Sequence, residues 1–218
     1  MQFDPDNKIV QLCTEGMNAA ATGQPETAHR LFRQAWDLAD NDFDALTAAH
    51  FLARHQTSRE DTLQWNLEAL NRAFAIKDET VKSFYPSLYL NVAKAYEDLS
   101  NLPAAVQHYQ LAASYSHHLP EGSYGNMIKT GISNGLQRTG ANGFNPPVLE
   151  ALVNHWCETK QLQALSFVLP PYLSNLGTPH HINKLISALS YLSATRCLPV
   201  AEQEKVDQLI ATLSDSVH

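Results

Sequence analysis

The chain has only three cysteines, Cys13, Cys157 and Cys197, and they stand far apart. An odd, scattered set excludes a disulfide framework and a paired CxxC metal site. No apolar run approaches the roughly 20 residues that a membrane-crossing helix needs, so no membrane role is expected. Basic residues are short as well: 15 Lys and Arg face 22 Asp and Glu, a net charge of −7. The imbalance is local, with 9 basic and 16 acidic residues up to Gly122 and six of each after it. An acidic surface repels phosphate backbones, which argues against a nucleic-acid partner and for a basic or neutral one. The start, Met1-Gln2-Phe3-Asp4-Pro5-Asp6, lacks the charged-then-apolar order of a secretory signal, and the expected location is the cytoplasm.

Catalytic and ligand-binding motifs are missing too. Ten histidines invite a metal reading, but no HExxH or Cys/His spacing is present. The adjacent pairs His117-His118 and His180-His181 point about 100° apart if helical, so neither pair closes easily on one ion. Both lie near a proline, where a histidine at a helix end meets terminal carbonyls. His155 and Cys157 flank Trp156 and should splay to either side of its apolar stripe, with no third member for a nucleophilic triad. Gly131-Ile132-Ser133-Asn134-Gly135 and Gly140-Ala141-Asn142-Gly143 lack the preceding strand and the Lys-Ser/Thr of a phosphate loop. The acidic set Asp37, Asp40, Asp42 and Asp44 lacks the Gly and late Glu of a calcium loop; Asp42 or Asp44 is expected to cap the next helix. No cofactor is expected.

What is present is a repeat. Leu12, Gly16 and Ala19 lie at spacings of four and three, on one helix face. Thr22-Gly23-Gln24-Pro25 then breaks the helix, with Gly suited to ending one helix and Pro to starting another. Ala28, Phe32 and Ala35 repeat the spacing on a second helix. Exactly the same offsets return 77 residues later as Tyr89, Ala93, Tyr96, Ala105, Tyr109 and Ala112, around the turn Leu99-Ser100-Asn101-Leu102-Pro103. Small residues at Gly16 and Ala28 mark the crossing of the two helices, with Phe32 filling the gap beside it.

This constellation resembles the tetratricopeptide repeat (TPR) family, whose pattern places Trp, Leu, Gly and Tyr on a first helix and Ala, Phe and Ala on a second. Leu12 stands at the Trp position, Ala19 at the Tyr position and Asp40 at the closing Pro. The resemblance implies an all-α chain: a right-handed superhelix of antiparallel helix pairs, with a helical C-terminal continuation and a capping helix. Repeats are expected over about 9–42, 43–85 and 86–119, within a first region of 1–122. The middle one is stretched by roughly nine residues placed at His55–Asp61 and Ile76–Ser83. Its second helix is read from Leu63, Leu67, Leu70, Ala73 and Phe74, with Trp65 to one side.

Residues 123–218 read as degenerate helical repeats continuous with the first region. Gly140 to Pro147 is the longest breaker run, Pro170-Pro171 is expected to cut a helix short, and Val206, Leu209, Ile210, Leu213 and Val217 form the closing amphipathic cap.

The family's concave groove falls, by these offsets, on Val10, Cys13, Met17 and Ala20, then Thr47, Phe51, Arg54 and His55, then Leu90, Asn91, Lys94 and Glu97. The family's carboxylate clamp needs Lys and Asn where this chain has Cys13 and Met17, so that clamp is not expected. Cys13, Met17, Phe51 and Leu90 suggest an apolar anchor site, unless a helix of the chain itself covers them, and Arg54 and Lys94 a grip on an acidic group. The implied function is a non-catalytic scaffold for a basic or apolar protein or peptide. The competing readings are an enzyme or metal-dependent regulator built on the C-terminal His and Cys residues, and a homodimer formed through the groove or last helix.

Overall fold

The computed structural model describes residues 6–141 and 145–217. Met1 to Pro5, and Asn142-Gly143-Phe144 within the expected breaker run, lie outside the described residues, as does the side chain of Val217. The described residues form eleven α-helices and two short 3-10 turns, with no strand among them. The chain divides into two compact units, Met1–Ile128 and Lys129–His218, and the division falls inside a helix, Ser123–Arg138.

The first unit contains α1 (Lys8–Ala21), α2 (Pro25–Leu38), α3 (Asp42–Ala53), α4 (Arg59–Ala75), α5 (Tyr85–Asp98) and α6 (Leu102–Ser114), and the start of α7 (Ser123–Arg138). From α1 to α6 each helix packs on the next, and α1 also touches α3. The starts and stops follow from local chemistry. Asn7 accepts from the amides of Ile9 and Val10 at 2.7 and 3.1 Å, and Asn41 from those of Phe43 and Asp44 at 3.0 and 2.9 Å. Ser58 and Asn101 cap α4 and α6 in the same way.

The end of α1 is a Schellman turn: Gln24 donates to the Ala19 carbonyl and Gly23, at φ +76°, to that of Ala20. The repeat extends to this backbone detail. Asn101 donates to Tyr96 and Ser100 to Glu97, with Ser100 left-handed at φ +61° in the place of Gly23.

Phe32 is the packing centre of α1, α2 and α3. It is fully buried, and a Cβ built on Gly16 would overlap its ring. Its other face stacks on Phe51 with centroids 5.4 Å apart, and His55 lies at 4.8 Å. Ala28 and Ala35 are fully buried beside it, as are Ala105, Tyr109 and Ala112 at the matching positions of α6. The Tyr109 hydroxyl donates to Glu97 at 2.5 Å, so a ring larger than Phe32 by one polar atom is still satisfied.

Two expectations for this unit are revised. Neither Asp42 nor Asp44 caps α3. Asn41 does, and the buried Asp44 accepts the side-chain amides of Asn7 (3.0 Å) and Asn41 (2.8 Å), joining the N-caps of α1 and α3. Asp42 instead receives Arg72 at 3.2 Å. The inner face of α4 runs through Leu63, Asn66, Ala69, Leu70 and Ala73, whereas Phe74 is 53% exposed and leans on Tyr85 at 5.4 Å. Asn66 is tolerated inside because its amide donates to the Thr62 carbonyl. The added length at Ile76–Ser83 folds largely as the 3-10 turn Glu79–Ser83.

In the second unit, α8 (Pro147–Glu158), α9 (Leu162–Leu173), α10 (Pro179–Thr195) and α11 (Val200–Val217) surround one core of Trp156, Val168, Leu185, Leu189 and Val206, among others. Each packs on its successor, and α11 returns to α8, so these four helices close on themselves. Trp156 and Gln161 both donate to Glu202, at 2.6 and 3.3 Å, tying that closure. The helix expected to stop at Pro170-Pro171 continues to Leu173. Each proline removes one helical donor, to the carbonyls of Ser166 and Phe167, and its ring crowds that same carbonyl, so this last stretch of α9 forms at a local cost.

Gly16→Val should force the Phe32 ring out of its seat and destabilise the chain by about 1–3 kcal/mol, read from urea denaturation midpoints.

Candidate binding cleft

Of the twelve groove residues expected from the sequence, three are interior, Val10 (8% exposed) being the first. Cys13 is 2% exposed and belongs to the core that holds Phe32, and Leu90 is 3% exposed. Burial, with the negative charge of Asp44 adding to it, pushes the Cys13 thiol up to about 12, so it is protonated and inert. Met17 is 42% exposed, and Arg54 and Lys94 are exposed. Thr47, Phe51, His55 and Asn91 are half-buried.

Thr47 and Phe51 come together in a cleft of about 200 Å³ between α3, α5 and the first turn of α7. Phe43, Leu46, Thr47, His50 and Phe51 form one wall, Phe84, Ser87 and Leu88 the other, and Tyr124 closes a side. Phe43 and Phe84 meet edge to face at 6.3 Å, and His50 and Phe51 likewise at 5.4 Å. The helix period explains the first wall: Phe43, Thr47 and Phe51 recur every four residues, on one stripe of α3. Of that stripe, Thr47 and Phe51 were expected through the groove offsets that the resemblance implies. Phe84, Leu88 and Tyr124 come from other segments, and no local pattern marks them as its partners.

The polar groups of the cleft are unequal. The Thr47 hydroxyl donates to the Phe43 carbonyl at 2.9 Å and that of Ser87 to the Phe84 carbonyl at 2.9 Å, so both protons are engaged and only their oxygen lone pairs are left to accept from a ligand. No family model, curated protein or solved structure matches the chain. The imidazole of His50 has no hydrogen-bond partner among the described residues. Burial, helped by the positive Arg54, pushes its pKa down to about 4, so it is a neutral donor-acceptor at pH 7. Arg54 also depresses His55, after burial and ahead of His29. No carboxylate pairs with the Arg54 guanidinium among the described residues.

The histidines and cysteines of the second unit are dispersed. His155 is half-exposed, with Nε2 3.4 Å from Glu202, while Cys157 is exposed. His181 is buried at the start of α10, where Nδ1 is 2.7 Å from the Thr178 hydroxyl rather than a terminal carbonyl. In the first unit, His117 lies in the 3-10 turn Ser116–His118 just past α6 and meets the Ser114 carbonyl at 2.9 Å. Among the described residues no three His, Cys, Asp or Glu side chains gather in metal-binding geometry, and no helix is long and apolar enough to cross a membrane.

A histidine depressed by folding makes the unfolded chain the better proton acceptor below its ordinary pKa. Between about pH 6.5 and about 4, His50 should cost stability as pH falls, by up to ~1.4 kcal/mol per pH unit. In urea denaturation across that window, His50→Gln should show a shallower acid-side loss than wild type.

Proposed function

We propose that the chain is a non-catalytic scaffold of tetratricopeptide type that holds a protein or peptide in the cytoplasm. The repeats would stack as a right-handed superhelix, with α1, α3 and α5 on its concave side. Support comes from the pairing of α1 with α2, α3 with α4 and α5 with α6, from the Gly16–Phe32 approach, and from the matching turns at Gly23 and Ser100. The observation that carries the functional reading is the aromatic cleft over α3 and α5.

At about 200 Å³ it falls below the size usual for drug-like ligands or cofactors, and its lining is mostly Phe and Leu. A single apolar side chain of a partner segment fits that description. Burying one such side chain contributes about 1.5–3 kcal/mol, enough for a roughly 10- to 150-fold effect on affinity. Catalysis finds less support, because the cleft's one unbonded imidazole has neither a nucleophile nor a carboxylate hydrogen-bonded to it.

A random peptide library selected on the full chain should enrich sequences sharing one Phe, Leu or Trp. Thr47→Arg, which places a guanidinium in the cleft, should weaken those peptides at least ~10-fold while the circular dichroism spectrum stays helical. Equal binding to wild type and Thr47→Arg would sink the assignment of this cleft.

A further inference from the structure

The cleft as a peptide-anchor site carries a further inference, which rests on the reading above: the charge of the segment it takes. We propose that the cleft binds a partner segment in which the apolar anchor is flanked by a carboxylate, and that Arg54 is the residue that receives this carboxylate.

The placement of Arg54 is the first ground. It caps the C-terminus of α3 and stands three residues past Phe51 and four past His50, both in the cleft wall. Residues at those spacings share one helix face, so the guanidinium stands one turn beyond the apolar floor.

Its lack of a partner is the second. Three cations of this unit are matched, Arg33 with Asp37 at 3.6 Å, Arg72 with Glu68 at 2.7 Å and Lys82 with Glu79 at 2.5 Å. Lys8, Arg30, Lys77 and Lys94, like Arg54, have no carboxylate partner among the described residues. Arg54 has neither an ion pair nor a hydrogen bond among the described residues, and it is exposed. His50 and His55 are both held neutral at pH 7, so neither adds a charge of its own beside it.

The distribution of acid is the third. Asp42 and Asp44 begin the same helix, roughly 15 Å from Arg54 at 1.5 Å per residue. That separation exceeds the ~8 Å screening length at physiological salt. Both are also engaged, Asp42 by Arg72 and Asp44 by Asn7 and Asn41. Neither of these two carboxylates therefore cancels the local field of Arg54. A segment laid along α3 from the cleft meets a cation next to its anchor, and one with Lys or Arg there meets repulsion.

The test uses the full chain and synthetic nonapeptides of Gly and Ser with one central Phe, flanked by Asp, by Lys or by Ser. An Asp-flanked peptide with central Ala serves as control, and binding is read by amide NMR titration. Asp-flanked Phe should bind about five- to ten-fold tighter than Lys-flanked Phe at low salt, with the preference shrinking as salt rises. Arg54→Gln should erase the preference and Arg54→Glu should reverse it. Thr47→Arg should abolish binding of every Phe peptide.

A Lys preference in wild type, or an Asp preference that survives Arg54→Glu, overturns the inference. Phe peptides that bind without charge preference and lose to Thr47→Arg also overturn it, but leave the anchor site standing. If no Phe peptide binds, the anchor reading falls with it. A dimer in analytical ultracentrifugation that Thr47→Arg dissolves would give the cleft to a second copy of the chain and overturn the proposal.

Discussion

The first unit depends on the place where α1 and α2 come together over Phe32. A helix can lie that close to an aromatic ring only where it has no side chain, and Gly16 supplies the gap. The ring is then shared, because its other face stacks on Phe51 and lies near His55. One side chain thus joins three helices. Phe51 is at once the far side of this stack and a wall of the cleft. The cleft is therefore positioned from behind by the core, which is what pre-organises a binding surface: the wall is already held before any ligand arrives.

Two polar devices complete that positioning. Asp44 accepts from Asn7 and Asn41, so the residues that cap α1 and α3 are bound to one buried carboxylate, and the two helices start at a fixed offset. On the outer side, Trp36 and Trp65 meet edge to face at 4.9 Å, with Arg72 over one ring and Arg33 over the other. That ladder ties α2 to α4, and its charges are answered by Asp37, Glu68 and Asp42. His50 and Arg54 follow the opposite logic. Burial keeps the imidazole neutral, and the guanidinium beside it is unanswered. The same physical terms that stabilise one face leave the other available for a ligand.

The second unit follows a different plan from a stack of pairs. Its helix α8 ends as α1 does: Gln161 donates to Trp156 and Lys160 to Cys157, with Lys160 left-handed at φ +56°. Yet α11 comes back to α8, and Glu202 secures the return through Trp156 and Gln161. Similar local turns thus serve two kinds of packing.

Much of this was legible from spacing alone. Helix existence, the crossing at Gly16 and Ala28, and the matching interior of α6 all follow from apolar positions three and four apart and from Gly and Pro at the breaks. Those signals are local, and a helix obeys local rules. Thr47 and Phe51 were expected together only through the groove offsets that the resemblance implies. The phase of α4 was legible only in part: Leu63, Leu70 and Ala73 are interior as expected, but so is Asn66, which bonds Thr62, while Phe74 stays exposed against Tyr85 and Tyr89. The role of Asp44 was not legible, since it is decided by an amide 37 residues away. Cys13 and Leu90, with offsets like those of their neighbours, are interior because of what packs over them. The sequence by itself determined an all-helical chain, its turns and its small-residue crossing. Tertiary structure alone decided which stripe stays open and which charge stays unpaired, since burial and pairing depend on segments that meet only when the chain folds.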